Sequence, residues 1–181
     1  MTSRTLLGIC GSLRKNSRNM GLLRCAEMVV PQGYRLELFD ISPFPFYQEG
    51  LHTPDCVDSF VKKIEMADAI VMAVPEYNYS IAPALKNALD WGSRAPGNIF
   101  SGKPAAIMGA GGGMGTSRAQ YHLRQVCVYL DLRLLNKPEV FSNAFSAAFD
   151  EEGNVSNTQE GQSLRDNIAK LMKNPCDTLE K

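Results

Sequence analysis

Residues 11–19 of the chain read GSLRKNSRN, and they join the apolar run 5–10 to a segment with helical spacing. A strand that turns into a helix through small, hydroxylated and cationic residues is suited to holding a phosphate, because the first helical amides lack intrahelical acceptors and the helix dipole is positive there. Ser12 and Ser17 add hydroxyl donors, and Arg14 adds a guanidinium that can bind a phosphate with two hydrogen bonds. This stretch therefore predicts a monophosphate site.

Two common phosphate loops are excluded by the same residues. The chain has no G-x-x-x-x-G-K-S/T sequence for a nucleoside triphosphate with magnesium, and no G-x-G-x-x-G sequence for a dinucleotide pyrophosphate. Triphosphate hydrolysis and tightly bound NAD are therefore not expected. Serine, arginine and asparagine also form ordinary solvated turns and helix N-caps, so this stretch alone leaves both interpretations open.

The composition is that of a single soluble globular domain. Of the 181 residues, 44% are hydrophobic and 21% are charged, and 19 basic residues balance 19 acidic ones. A neutral chain offers no basic field for nucleic acid and no acidic surface for docking to an electron-transfer partner. We therefore expect one domain over residues 1–181 and a small-molecule partner.

The five cysteines are scattered and never form the C-x-x-C pairs of a zinc or thiol redox site. Such a pattern suits a reducing cytosol, and Cys10 and Cys127, which lie in apolar surroundings, are expected to be buried. The first residues form no targeting signal, and no apolar run approaches the ~18 residues of a membrane span. The sequence thus predicts a cytoplasmic protein without a metal site.

Short apolar runs alternate with helical patterns along the chain, which is typical of strand–helix–strand units around a parallel sheet. The predicted strands are 5–10, 34–39, 69–74, 104–108 and 133–135. The predicted helices are 20–30, 54–67, 82–91 and 117–130, followed by a polar loop over 152–162 and a closing helix with Leu164, Ile168, Leu171 and Met172 on its apolar face. We expect a doubly wound α/β fold of five strands in the order 2-1-3-4-5, with helices on both faces, 34–39 at an edge and 69–74 in the centre.

In that strand order, a ligand binds beyond the carboxyl ends of the strands, at the switch point between the first and third strands. The loops that meet there are 11–19, 75–80 and 110–116. They are also the three loops with the least ordinary composition in the chain. This agreement between topology and composition predicts one shared site.

The loop 75–80 reads PEYNYS, and it places two aromatic rings and an amide at the expected ligand edge. An isoalloxazine ring needs this combination, since Asn78 and backbone groups can bond its pyrimidine edge while Tyr77 lies against the ring. The glycine loop 111–115 would let backbone amides approach the flavin carbonyls. Taken alone, the aromatic loop is also typical of a turn packed on the core, with Glu76 and Asn78 as caps.

Four segments together carry a family resemblance: GSLRKNSRN, PEYNYS, LKNALDW in the helix that follows, and SRAQYHLRQ after the glycine loop. Over residues 6–138 the chain resembles the NADPH-dependent FMN reductase family, and within it the quinone and chromate reductases. The resemblance implies a flavodoxin-like fold, bound FMN, and two-electron transfer from NADPH or NADH to quinones, free flavin, chromate or related acceptors. It also implies a homodimer or homotetramer.

The same resemblance implies which residues contact the cofactor. Phosphate contacts are expected from Ser12, Arg14, Ser17 and Asn19, and ring contacts from Pro75, Glu76, Tyr77, Asn78, Tyr79, Gly111, Gly112 and Gly113. Arg18 or Arg94 is expected to meet the 2′-phosphate of NADPH. The glycine loop departs from the family by lacking Ser or Thr near its start. Tyr79, Arg124 and Glu139 are expected in a polar network near a subunit contact, although Arg124 equally fits a solvated helix face.

Flavin-centred hydride transfer needs no protein acid or base, so His52 and His122 are interpreted as structural. Two other functions stay open at this point. An electron carrier of the same fold is commonly acidic, which the balanced charge disfavours. A redox sensor would need a partner surface, and the one candidate, residues 44–47 (FPFY), equally suits covering the flavin site of a neighbouring subunit.

Overall fold

The computed structural model describes residues 3–180, in which the apolar runs form strands and the segments of helical spacing form helices. The strands are β1 (Arg4–Cys10), β2 (Tyr34–Phe39), β3 (Ala69–Ala73), β4 (Glu76–Tyr77), β5 (Ser80–Ile81), β6 (Pro104–Gly111), β7 (Arg133–Leu134) and β8 (Phe141–Asn143). The helices are α1 (Arg18–Val29), α2 (Asp55–Met66), α3 (Pro83–Gly92), α4 (Ser117–Tyr129) and α5 (Gln159–Leu179).

The main sheet is parallel and runs in the order β2-β1-β3-β6-β7, which confirms the doubly wound topology. The central strand β3 is buried at every residue, and β2 lies at the edge. The last strand is split: β7 pairs with the start of β6, and β8 pairs with its end. Pro138 lies between the two pieces and has no amide hydrogen for a ladder. The sequence pattern predicted only the first piece.

Helices cover both faces of the sheet and divide the apolar core in two. On one face, Leu22 of α1 and Ile168 of α5 are fully buried against the sheet. On the other, Phe60 of α2 and Leu123 of α4 are fully buried in a second cluster that also includes side chains of α3. Within residues 3–180, every helix is too short or too polar to cross a membrane.

Two regions differ from the sequence expectation. Most of the predicted loop 75–80 belongs to the antiparallel hairpin β4–β5, whose turn residues Asn78 and Tyr79 have φ of 50° and 67°. A hairpin turn of this kind usually carries Asn-Gly, so a tyrosine at the second position hides the signal. Helix α5 begins inside the predicted loop 152–162, because the Thr158 hydroxyl accepts a hydrogen bond from the Gly161 amide (3.2 Å) and caps the helix.

Cys10 and Cys127 are buried, as their apolar surroundings predicted. All five are free thiols, and only Cys56 is not buried. Burial raises the pKa of Cys127 to about 12 and that of Cys176 to about 11, so both stay protonated and unreactive near neutral pH. We expect Ellman's reagent at pH 8 to modify one thiol rapidly in the native protein and five after unfolding. Rapid native modification of two or more thiols would contradict this burial pattern.

Candidate functional site

The loops after β1, β3 and β6 meet at the carboxyl edge of the sheet, as the strand order requires. They enclose a cavity of about 210 Å³, here called the cofactor cavity. Its lining comprises Ser12, Arg14, Ser17, Arg18, Asn19, Pro75, Glu76, Tyr77, Ala110, Gly111, Gly112, Ala144 and Phe145. Each of the three loops therefore contributes predicted residues to one site.

One corner of the cofactor cavity collects donors for an anion. The Nε atom of Arg18 is buried and has no hydrogen-bond partner among residues 3–180. Ser12 and Ser17 are buried, and their hydroxyl oxygens already accept bonds from the amides of Arg14 (3.4 Å) and Met20 (3.3 Å), so each O–H can still donate. A buried guanidinium nitrogen without an acceptor is costly unless a ligand supplies one. This donor set fits a phosphate monoester.

Asn19 connects two of the segments that line the cofactor cavity. Its Nδ2 donates to the carbonyl of Ala110 (2.9 Å), and its Oδ1 accepts from the amide of the same residue (3.0 Å). Both residues are buried. The side chain thus ties the start of α1 to the end of β6, and it uses its amide group on the protein backbone.

Glu76 also bonds within the chain. Its Oε1 accepts from Arg118 Nε (2.7 Å) and lies 2.6 Å from Arg118 Nη2, while its Oε2 accepts from the amide of Ala119 (3.1 Å). The carboxylate is only 7% exposed and lies at the N-terminus of α4, where the helix dipole favours an anion. Glu76 therefore fastens the hairpin to α4.

Two further contacts reinforce that attachment. The guanidinium of Arg118 lies 3.6 Å from the ring centroid of Tyr79, a cation–π contact. The Ser80 hydroxyl and His122 Nδ1 are 2.8 Å apart. Asn78 and Tyr79 lie in the hairpin turn, outside the lining of the cofactor cavity.

The glycine loop divides into packed and open positions. A Cβ on Gly109 would lie 1.9 Å from Thr116 Oγ1, and one on Gly111 would lie 2.3 Å from the carbonyl oxygen of Gly115. A Cβ on Gly112 or Gly113 would meet nothing within 4 Å. Packing therefore requires the first two glycines, whereas the other two leave space for a ligand. Gly113 is not part of the lining.

Sequence reasoning missed Ala144 and Phe145, which follow the unpredicted strand β8. The Ala144 amide donates to the Gly111 carbonyl (2.7 Å), and the Phe145 amide donates to Asn143 Oδ1 (2.9 Å). These bonds fix the loop, yet the Phe145 side chain is 81% exposed at the cavity. The only sequence signal was an aromatic residue in a short polar stretch.

Three predicted residues, Tyr79, Arg124 and Glu139, lie outside the lining of the cofactor cavity. Glu139 accepts hydrogen bonds from Tyr121 (2.9 Å) and Lys137 (2.7 Å), and these bonds lower its pKa, with Lys137 as the larger cause. Arg124 donates to Asn136 (3.0 Å). No hydrogen bond within residues 3–180 joins Tyr79, Arg124 and Glu139 to one another.

The two arginines considered for the 2′-phosphate of NADPH lie apart. Arg18 lines the cofactor cavity, whereas the Arg94 guanidinium lies 5.6 Å from the centroid of the Tyr47 ring. The described residues hold no cluster of three or more His, Cys, Asp or Glu side chains that could bind a metal ion.

Comparisons with known proteins identify relatives of this chain. Residues 4–147 match the family model described as NADPH-dependent FMN reductase. The chain is 48% identical over 170 residues to an NAD(P)H-dependent FMN reductase of Pseudomonas aeruginosa, covering 92% of each chain. It is 49% identical over 167 residues to an NAD(P)H:quinone oxidoreductase of Solanum tuberosum, covering 87% of this chain and 86% of the relative. The flavoenzyme NAD(P)H:(acceptor) oxidoreductase FerB from Paracoccus denitrificans superposes with a TM-score of 0.81 at 29% identity, covering 94% of this chain and 98% of that one.

Proposed function

The chain belongs to the NADPH-dependent FMN reductase family, and from this membership we propose that the cofactor cavity holds FMN for electron transfer from NAD(P)H to quinones. The observation that carries this assignment is the buried Arg18 Nε without an acceptor, beside two serine hydroxyls, in a cavity where three loops meet. The relatives at 48% and 49% identity are named an NAD(P)H-dependent FMN reductase and an NAD(P)H:quinone oxidoreductase. The chain is therefore an enzyme of this class, and the carrier and sensor interpretations are set aside.

The reaction balances with a proton from solvent. NAD(P)H, one proton and a quinone give NAD(P)⁺ and a hydroquinone. FMN, when bound, would supply the two-electron chemistry between NAD(P)H and the acceptor. The protein contributes binding and orientation, and no side chain is needed as acid or base.

The proposed roles of the lining residues follow from their contacts. Arg14 and Arg18 neutralise the phosphate, and Ser12 and Ser17 donate to its oxygens. Tyr77, which is 49% exposed at the cavity, supplies a ring against which the flavin can lie. Asn19 and Glu76 act through the backbone and through α4, so we assign both as positioning residues.

The experiment that tests the function is anaerobic mixing of FMN-loaded protein with NADPH or NADH, followed by addition of a benzoquinone. We expect the flavin absorbance near 450 nm to bleach rapidly and to recover fully after one equivalent of quinone per flavin. The faster-bleaching nucleotide identifies the preferred donor. A protein that binds FMN yet is bleached by neither nucleotide would contradict the proposal.

Replacing Arg14 with Ala is expected to weaken FMN binding. A charge-assisted phosphate contact contributes about 1.5–3 kcal/mol, which corresponds to a roughly 10- to 150-fold higher Kd. The recovery of FMN fluorescence on release measures that change. Lys15→Ala is the matched control, because Lys15 is the exposed cation next in sequence and does not line the cavity. Equal effects of the two substitutions would indicate a general electrostatic effect of nearby positive charge, and Arg14 would then not be a direct phosphate ligand.

We also propose a homodimer or homotetramer that associates through the outer face of α4. Tyr121, Val128 and Tyr129 expose 54%, 80% and 71% of their surface on this helix. Exposed apolar side chains on one helix commonly mark a protein interface. Sedimentation should give a species of two or four times the 19.9 kDa chain mass, and Val128→Glu should dissociate it.

The free thiols support a reducing cytoplasmic location, which fluorescent tagging in cells would test.

A further inference from the structure

A second cavity, of about 480 Å³, adjoins the cofactor cavity and shares Arg14 and Tyr77 with it. We call it the apolar cavity. It lies between the first loop, the segment after β2 and the start of α3, and its principal apolar walls are Leu13, Ile41, Phe44, Phe46, Tyr77 and Ala84. Its volume is within the range of small-molecule sites. The roles assigned above use only Arg14 and Tyr77 of its lining.

One wall of the apolar cavity is held firmly by α3. Asn87 Oδ1 accepts from the amide of Tyr47 (2.8 Å), and Asn87 Nδ2 donates to the carbonyl of Pro45 (2.9 Å). Trp91 Nε1 donates to the same carbonyl (2.8 Å). Phe44 packs against Phe60 with ring centroids 5.3 Å apart. The segment therefore has a fixed backbone on both sides of residue 46.

Phe46 is the exception in this anchored segment. Its neighbours Phe44 and Tyr47 pack against other aromatic rings, whereas Phe46 is 79% exposed and lines the apolar cavity. An exposed phenyl ring on a fixed backbone gives up favourable burial. A ligand that covers this ring would recover the lost burial.

The lining also indicates what that ligand is. It contains no acidic side chain, and its polar groups include the Arg14 guanidinium and the Ser42 hydroxyl. The Ser42 hydroxyl can donate a hydrogen bond to an oxygen, and so can any N–H group of Arg14 that does not bind the phosphate. A strongly hydrated oxyanion would lose solvation against the apolar walls. A planar, uncharged ring that carries carbonyl groups fits both the apolar walls and the hydrogen-bond donors of this cavity.

We propose that the apolar cavity binds the oxidising substrate as a neutral aromatic quinone, with Phe46 as a specificity-determining contact. This inference rests on the proposed function. It ranks the acceptors that the family resemblance leaves equal: apolar quinones are the preferred substrates, and chromate and other small anions are poor ones.

Steady-state kinetics of FMN-loaded Phe46→Ala test the inference with 2-methyl-1,4-naphthoquinone and with ferricyanide as a charged acceptor. We expect the KM for the naphthoquinone to rise about tenfold, since the substrate loses an aromatic contact. The parameters for ferricyanide and the anaerobic rate of flavin reduction by NADPH should stay unchanged. Met66→Ala is the matched control, because Met66 is 77% exposed at the end of α2, near the opposite edge of the sheet.

A second variant changes the wall of the apolar cavity that α3 forms. Ala84 is half-buried at the start of α3, so Ala84→Leu should fill the cavity without opening the core. Its KM for the naphthoquinone should also rise. Because Phe46 is exposed, a folding defect is not expected in Phe46→Ala, and circular dichroism checks both variants.

A binding measurement removes the dependence on turnover. Trp91 is the only tryptophan of the chain, and it bonds to the residue preceding Phe46. Titrating the oxidised, FMN-loaded protein with the naphthoquinone, without NADPH, should quench Trp91 fluorescence, with a Kd about tenfold higher in Phe46→Ala. If the wild type fails to oxidise NADPH with any acceptor, the proposed function fails, while this titration still tests the cavity.

Three results would overturn the inference. Unchanged naphthoquinone KM and Kd in both variants would show that the acceptor binds elsewhere. If Phe46→Ala also slowed flavin reduction by NADPH about tenfold, the cavity would be assigned to the nicotinamide. Loss of FMN from Phe46→Ala would assign it to the cofactor.

Discussion

Asn19→Ala is expected to lower the free energy of unfolding by about 2–4 kcal/mol and to cost the protein most of its bound FMN. The substitution leaves the amide and the carbonyl of Ala110 buried without their partners, and a buried unpaired polar group costs about 1–3 kcal/mol. It also releases the start of α1 from the end of β6. The phosphate donors and the glycine loop would then lose their relative placement.

Two measurements separate these effects. Urea unfolding of FMN-free protein reports the loss of stability, and an FMN titration under native conditions reports the loss of binding. Asn16→Ala is the control, because Asn16 is an exposed asparagine in the same loop. If Asn19→Ala kept its stability and lost only FMN affinity, Asn19 would be a direct phosphate ligand, as the family resemblance implies.

Glu76→Ala is expected to weaken FMN binding at least tenfold and to lower the free energy of unfolding by about 1–3 kcal/mol. The change removes the partner of Arg118 and the acceptor of the Ala119 amide, so the hairpin loses its attachment to α4. Arg118 is 40% exposed and can turn to solvent, which limits the cost. The expected loss of binding arises from the displaced hairpin.

A double-mutant cycle with Arg118→Ala checks this explanation. If the two residues act as one clamp, the double variant should bind FMN about as weakly as the weaker single variant. Additive losses would show that Glu76 contacts the cofactor independently of Arg118. Glu76→Gln should recover part of the binding, because its amide oxygen can still accept from Ala119.

Local patterns predicted the frame of the site because each depends on neighbouring residues. Alternating apolar runs fit the doubly wound strand order, and that order brings the loops after β1, β3 and β6 together. The stretch that contains Arg14 was enough to predict a phosphate site, and Arg14 and Arg18 both line the cofactor cavity. These features need no knowledge of distant contacts.

The internal partners of site residues could not be predicted, because they are distant in the chain. Asn19 bonds to a residue 91 positions away, and Glu76 to one 42 positions away. In the sequence alone, both polar side chains look available to a ligand. Phe145 was missed for a related reason, since the strand before it is stable only through its pairing with β6.

The attachment of the hairpin to α4 has a thermodynamic consequence for assembly. Glu76 belongs to the lining of the cofactor cavity, and the helix it holds carries the exposed side chains Tyr121, Val128 and Tyr129. If FMN binding changes the affinity between subunits by some factor, thermodynamic linkage requires that subunit association changes the affinity for FMN by the same factor. If subunits associate through α4, dilution to monomers should loosen FMN by the factor by which FMN tightens the association.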